Sequence, residues 1–184
     1  MSDASLRAQI KTLMDEVPGA GVIHDYERWT ADQSAFLTMF RDEATKKIMG
    51  WEITREAVPR VERLGAKYKI THSYRIKGYY GLKDTDASEK SFGPIVDAII
   101  LKFITRQIPG SSLHTLPKVE AIGAKQFGNV LCHHAEISIE VPEVVYPTSE
   151  EAQYDLLSVG LNYYLKPGDD IADAEDIVEL GAET

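Results

Sequence analysis

The sequence predicts an α+β fold: an antiparallel sheet with helices packed on one face, plus an extended C-terminal arm. Three stretches carry the prediction. Residues 69–80 alternate apolar and polar side chains as a half-buried strand does, and residues 92–104 repeat apolar side chains at three- and four-residue spacing. Residues 130–141 show the strongest alternation in the chain. Because strands and helices do not alternate regularly along the chain, an antiparallel sheet covered by helices is favoured over a parallel one.

The N-terminal part predicts two helices around one short strand. Ser2 or Asp3 can cap the first helix, which Pro18 ends. Its apolar stripe comprises Leu6, Ile10, Leu13, Met14 and Val17. Residues 21–26 are a strand candidate, after which Thr30 or Asp32 caps a second helix that should stop near residues 46–47.

The middle of the chain predicts a hairpin followed by the main helix. Residues 48–58 alternate as a strand, Pro59 and residues 60–63 should form a loop, and residues 69–80 return antiparallel. Ser88 is expected to cap the main helix, whose wide apolar stripe should lie on the sheet.

The remaining elements are a strand pair and an arm. Residues 119–122 form a candidate strand, a Gly-Asn turn follows, and the strand of residues 130–141 should end at Pro142. Residues 157–165 alternate apolar and polar side chains, which favours an extended conformation. We therefore expect an α+β domain over residues 1–142 and an extended arm over residues 143–184.

Composition excludes some classes of function. The 184 residues suit one domain, and a net charge of −9 argues against a main role in binding nucleic acid, which needs a basic surface. The single cysteine, Cys132, cannot form an internal disulfide, which favours a reducing compartment. No run approaches the roughly 20 apolar residues of a membrane span, and no leader pattern opens the chain, so we expect no membrane partner.

Two groups of residues could carry chemistry, and simpler interpretations compete with both. Cys132, His133 and His134 are zinc-ligand types, but on a strand His133 points away from the other two. A thiol and an imidazole two residues apart on one strand lie roughly 7 Å apart, too far for a nucleophile and its base. His24 with Asp25, and Asp84 with Asp86, fit turn and capping roles as well as acid-base ones. No glycine-rich phosphate loop or catalytic elbow is present, so we expect neither enzyme activity, metal nor cofactor.

Tyrosines of the central strand, which could equally belong to the core, and apolar residues of the arm are candidates for an interface. Tyrosine is enriched where surfaces become buried on assembly, although it also has high strand propensity. The interface candidates are Tyr79, Tyr80, Tyr146, Leu157, Leu161, Tyr163 and Leu165. The arm needs a surface to cover, and the loop of residues 107–118 is a further place to contact a partner.

Four stretches resemble one family, the tail terminator (tail completion) proteins of long-tailed bacteriophages. The residues that carry the resemblance are Gly50-Trp-Glu-Ile-Thr54, His72-Ser-Tyr-Arg-Ile-Lys-Gly-Tyr-Tyr80, Ser88-Glu-Lys-Ser-Phe92 with the helix after it, and Phe127-Gly-Asn-Val130 through Val141. The resemblance covers residues 6–141 and does not extend to residues 146–184. It is one of element order and local sequence, with no catalytic motif.

The resemblance implies a structural virion protein in the neck region, assembled in the bacterial cytoplasm. Such subunits close into a ring, commonly a hexamer, on the head-proximal end of the tail tube. One ring face contacts the tube protein and stops its polymerisation, the other contacts the head-tail connector or head completion protein, and DNA passes through the lumen. Ring closure implies head-to-tail contacts between two different surfaces of each subunit. We expect the arm to lie across the adjacent subunit or on the tube.

Two alternatives remain open at this stage. The chain could be another neck or connector component. It could instead be a small-ligand-binding or catalytic α+β domain with a pocket near His72, Tyr74 and His133. Isoleucines that would fill such a pocket favour the structural interpretation.

Overall fold

The fold is taken from a computed structural model that describes residues 3–28, 30, 32–127, 129–146, 158–163 and 174–179. The chain divides into two compact units, Met1–Tyr146 and Pro147–Thr184. The first unit contains α1 (Asp3–Asp15), β1 (Val22–His24), α2 (Gln33–Met39), β2 (Met49–Leu64), β3 (Lys67–Gly81), a 3-10 turn (Asp84–Asp86), α3 (Glu89–Thr105), β4 (Lys118–Phe127) and β5 (Val130–Val145). The described part of the second unit is an antiparallel pair, β6 (Ser158–Tyr163) and β7 (Ala174–Glu179).

The first unit confirms the α+β prediction. Its five strands are ordered β1-β2-β3-β5-β4. The neighbours β2 and β3, β3 and β5, and β4 and β5 pair antiparallel, as predicted, whereas the short β1 pairs parallel to β2 and makes the sheet mixed. The alternation in the sequence determines which side chains of each long strand are buried.

The two long helices cover one face of the sheet, called here the helix face. Their apolar stripes bury against inward-pointing residues of β2, β3 and β5. The fully buried side chains of this core include Leu6, Ile10, Trp51, Ile53, Tyr74, Ile76, Ile99, Phe103 and Ile137. Burying each large apolar side chain contributes about 1.5–3 kcal/mol, which makes this core the main source of stability.

The short helix α2 packs on the opposite face, whereas the sequence placed all helices on one. Phe36 and Phe40 contact Tyr79, with ring centroids 5.4 and 4.6 Å away, and Cys132 completes the cluster. Tyr79 and Tyr80 are consecutive on β3, so they point to different faces. The sheet is therefore covered on both faces at this end.

Helix α2 ends at Met39 rather than near residues 46–47. The Asp42 carboxylate accepts hydrogen bonds from the backbone N–H and hydroxyl of Thr45, both at 2.7 Å. The Asp42 side chain thus accepts the Thr45 N–H, which would bond to a backbone carbonyl if the helix continued. Aspartate side chains compete with helical hydrogen bonds in this way. At its start, α2 is capped by Asp32, one of the two predicted residues.

Ser88 does not cap α3 as predicted. Its backbone is already helical, and its hydroxyl makes no capping bond. The Oγ atom instead accepts the N–H of Lys83 at 2.8 Å and lies 2.9 Å from Nε2 of His133. These contacts fix the loop before α3 to β5.

Two prolines that were expected to end strands lie inside them. Pro59 lies within β2, and β1 pairs with β2 only from Gly50 to Glu52. Pro142 lies within β5, and the last residue of β5 that pairs with β4 is Ser138. A proline is tolerated where its strand has a neighbour on one side only. The predicted loop of residues 59–63 is therefore strand, and β5 extends to Val145 instead of ending at Pro142.

Candidate interaction surfaces

The β2–β3 hairpin extends past the part of the sheet that the helices cover. We call residues 57–69 the hairpin end; of these, all but Glu62 and Lys69 are exposed. Register shifts on either side of Ala57 mark bulges, which increase strand twist and redirect the strand. Gly65, with φ of +65°, closes the turn in a conformation that glycine adopts without strain.

The hairpin end combines exposed apolar and basic side chains. Its exposed large apolar residues are Val58, Val61, Leu64 and Tyr68, and Tyr146 at the end of β5 is 64% exposed. Residues 57–69 contain four basic residues and one acidic residue. Arginine and tyrosine are among the residues enriched in protein interfaces, so this surface has an interface-like composition.

Two of the four cations at the hairpin end have no carboxylate partner among the residues that the structure describes. Glu62 lies 3.9 Å from Arg60 and 3.7 Å from Lys69. Arg63 Nε donates to the backbone carbonyl of Gly65, and Lys67 Nζ lies 4.9 Å from the centre of the Tyr146 ring. Within the described residues no carboxylate lies within 4.0 Å of Arg63 or Lys67, so the surface has a local positive charge.

The second exposed surface is the outer strand β4. Every residue from Lys118 to Gln126 is exposed, including the apolar Val119 and Ile122. Among the described residues, no strand pairs with its outer edge. An exposed edge strand presents unpaired N–H and C=O groups that can accept another strand, so β4 is a possible contact surface.

The interface candidates from the sequence are distributed between core and surface. Tyr79 is only 6% exposed and donates to Glu52 Oε1 at 2.9 Å, so it belongs to the core. Tyr80 is partly buried against Phe92 and His133. Tyr146 is on the surface. Leu161 and Tyr163 lie in β6, while Leu157 and Leu165 lie outside the described residues.

The sequence did not identify the residues of the hairpin end. Arg60 and Arg63 were interpreted as part of a solvated loop because Pro59 precedes them. Residues 60–64 show no alternation of apolar and polar side chains, so no local pattern indicated that the strand continues there.

The structure does not bring His72 and Tyr74 together with His133. On β3, His72 pairs with Val141 and Tyr80 pairs with His133, so the two histidines are eight residues apart, roughly 26 Å at strand rise. His72 is buried against Glu143, 3.1 Å away, and Tyr74 donates to Asp3 at 2.9 Å. Burial raises the pKa of Tyr74, which keeps its hydroxyl protonated. His72 and Tyr74 therefore do not line one pocket with His133, as the ligand-binding alternative would require.

An open cavity of about 630 Å³ lies elsewhere, between the start of α3 and β4. His133 lines it together with Ser88, Phe92 and residues 122–124. The Ser88 hydroxyl and the His133 imidazole are within hydrogen-bond distance in this cavity, the arrangement in which a base can activate a hydroxyl.

The Cys-His-His sequence on β5 does not form a cluster of metal ligands. No group of three or more histidine, cysteine, aspartate or glutamate residues in the described part of the chain could hold a metal ion. Burial raises the pKa of Cys132 to about 11, which keeps the thiol protonated. Burial lowers the pKa of His134 to about 4, with Lys125 adding to the effect and Glu136 opposing it, so its imidazole is neutral at pH 7.

Comparison of the chain with models of known protein families and with curated proteins finds no match. None of the described helices is long and apolar enough to cross a membrane.

Proposed function

We propose that this chain is a structural subunit of a bacteriophage tail, forming a ring at the head-proximal end of the tube. In this role it ends polymerisation of the tube protein and offers a docking surface to the head. The proposal extends the tail-terminator resemblance of residues 6–141 with one structural observation. That observation is the pair of unlike exposed surfaces, the hairpin end and β4, on a single sheet.

Two unlike surfaces are what a closed ring requires of each subunit. In a cyclic assembly, head-to-tail contacts join one surface of a subunit to a different surface of the next. The hairpin end is basic and partly apolar, whereas β4 presents an edge that no described strand pairs with and that has both charged and aliphatic residues.

The proposal is tested by negative-stain electron microscopy of tails assembled with and without this protein. Tubes of uncontrolled length without it, and tubes of uniform length with a ring at one end in its presence, are expected. Tubes of unchanged length and no ring would contradict the proposal.

A truncation locates the role of the C-terminal residues. Removing residues 147–184 leaves β5 intact to Val145, so the sheet keeps all its strands. If the C-terminal residues bind the adjacent subunit or the tube, this truncation yields tubes of uncontrolled length although it folds. Tubes of normal length from the truncation would show that the arm is dispensable for capping.

A second candidate function is small-ligand binding in the cavity beside His133. Its volume of about 630 Å³ is in the range typical of ligand sites, and the pair of Ser88 and His133 supplies polar contacts. A ligand that raises the melting temperature of the wild type but not of Ser88→Ala would favour this function. Equal shifts in both proteins would place the ligand elsewhere.

A further inference from the structure

Charge is divided unevenly along this chain. Of its 29 acidic and 20 basic residues, ten acids and one lysine lie in residues 147–184, leaving nineteen of each sign in residues 1–146. The entire net charge of −9 therefore belongs to the last 38 residues. Charge asymmetry between parts of a chain marks an interaction segment more often than a folding requirement.

The hairpin end has the opposite charge. It has four basic residues against one acid, and Arg63 and Lys67 have no carboxylate within 4.0 Å among the described residues. Exposed cations that no acid of the described residues neutralises are available to an acidic partner. The apolar residues around them, Val61 and Leu64, are exposed by 61% and 50%.

The C-terminal segment, residues 147–184, complements both the positive charge and the exposed apolar side chains of the hairpin end. Besides its acids it contains an alternating apolar sequence, Val159, Leu161 and Tyr163, within β6. A bare polyanion such as DNA would satisfy the cations but would leave exposed the valine and leucine side chains between them. An acidic segment with apolar side chains satisfies both, and a second copy of this chain supplies one.

We propose that the hairpin end, residues 57–69, is the docking surface for the acidic C-terminal segment, residues 147–184, of a second copy of this chain. The assignment to a second copy rests on the proposed function, in which each subunit offers two unlike surfaces to its neighbours. It adds to that function by naming both halves of one contact.

The test is sedimentation velocity of the full chain over a range of concentrations and salt. The first variant is Arg63→Glu with Lys67→Glu at the hairpin end, and the second is Glu175→Lys with Asp176→Lys in the segment. Each variant places like charges against each other and is expected to weaken self-association by about tenfold or more. Wild-type association should weaken as salt rises, because exposed charges are screened over about 8–10 Å at physiological ionic strength.

Combining the four substitutions gives the sharpest result. The combined variant has the net charge of the wild type and pairs reversed charges with each other, so it should recover association to within about threefold of wild type. The matched control is Lys47→Glu with Arg106→Glu, which reverses two exposed cations that form no salt bridge in the described residues. This control changes net charge as much as the hairpin variant and should associate like wild type.

Four results would overturn the inference. These are no self-association of the wild type, unchanged association of the hairpin variant, equal loss in the control, or failure of the combined variant to recover. Tight binding of a DNA duplex that the hairpin variant loses, with no self-association, would identify nucleic acid as the occupant instead. Tube length in tail assembly is a separate readout, so loss of this contact and failure of the proposed function are distinguishable.

Discussion

Strands β2 and β3 each pass through two regions of different character. In the half beneath α1 and α3, Ile53 and Ile76 are completely buried. In the hairpin end, Val61 of the same strand β2 is 61% exposed although it points to the same face. Two bulges near Ala57 add two residues to β2 between these regions, so Ile53 and Val61 still share a face, and coverage by helices distinguishes the buried residue from the exposed one. We infer that the covered half determines stability and the hairpin end determines association.

The largest expected contrast is between Ile53→Ala and Val61→Ala. Removing the Ile53 side chain leaves a cavity in the core and should lower the free energy of unfolding by about 2–5 kcal/mol. The exposed Val61 should cost no more than about 0.5 kcal/mol. Urea denaturation of both variants measures the difference, and similar losses at the two sites would break the comparison.

A second contrast concerns two glycines in strands. A Cβ added at Gly78 would lie 2.3 Å from the Trp51 ring, whereas one added at Gly123 in β4 would meet no atom within 4 Å. The Trp51 ring is fixed by a hydrogen bond from its Nε1 to the carbonyl of Ala20, so it cannot move freely.

Gly78→Ala should therefore destabilise the fold by about 1–3 kcal/mol, as overpacking does. Gly123→Ala should be neutral or slightly stabilising, because alanine reduces the freedom of the unfolded chain. Thermal unfolding of both variants checks the pair. A stable Gly78→Ala would mean that the tryptophan is not confined as described.

The third contrast concerns the pH dependence of stability, which we expect to arise from His134 in the covered part of the sheet. His134 is 5% exposed and lies beside Tyr79 and Glu136. Lys77 and Lys125 are the nearby cations. Among the described residues, Nε2 of His134 has no hydrogen-bond partner. Its pKa falls from 6.5 in the unfolded chain to about 4 in the folded one, mainly because of burial. The folded chain thus binds fewer protons, so this contribution is complete above pH 6.5 and is lost as the pH falls toward 4.

Replacing His134 by glutamine removes that titration. Between pH 7 and 4.5 the melting temperature of the wild type should fall more than that of His134→Gln. Parallel curves would show that His134 does not titrate differently on folding.

The smallest expected effect on stability is at the hairpin end itself. Arg63→Glu with Lys67→Glu changes two exposed side chains without carboxylate partners in the described residues, and should shift the free energy of unfolding by about 0.5 kcal/mol or less. Urea denaturation at a concentration where the chain is monomeric measures this. A larger loss would mean that these cations support the fold, and would undermine their use as a test of association.

The sequence predicted the long elements and missed features that depend on distant residues. Alternation identified the strands and helical spacing identified α1 and α3, because each pattern reflects one buried face. Pro59 and Pro142 were interpreted as strand ends, since the one-sided pairing that tolerates them is a property of the sheet. The buried pair of His72 and Glu143 joins residues 71 positions apart, which no local pattern reveals.

The candidate surfaces were predictable only in part. Of the tyrosines proposed for an interface, Tyr146 is exposed, whereas Tyr79 is a core residue because α2 covers the face of the sheet to which it points. The sequence shows that Arg60, Glu62 and Arg63 are charged. Only the fold shows that Arg63 and Lys67 lie on the exposed end of a hairpin, with no carboxylate partner among the described residues.

The most direct test of the account is amide hydrogen exchange of the wild-type chain at low and high concentration. If stability and association lie in different regions, peptides from residues 57–69 gain protection at high concentration. Peptides from residues 70–80, already protected by the core, should not change. Protection that is independent of concentration at the hairpin end, or that rises equally in both regions, would contradict the separation.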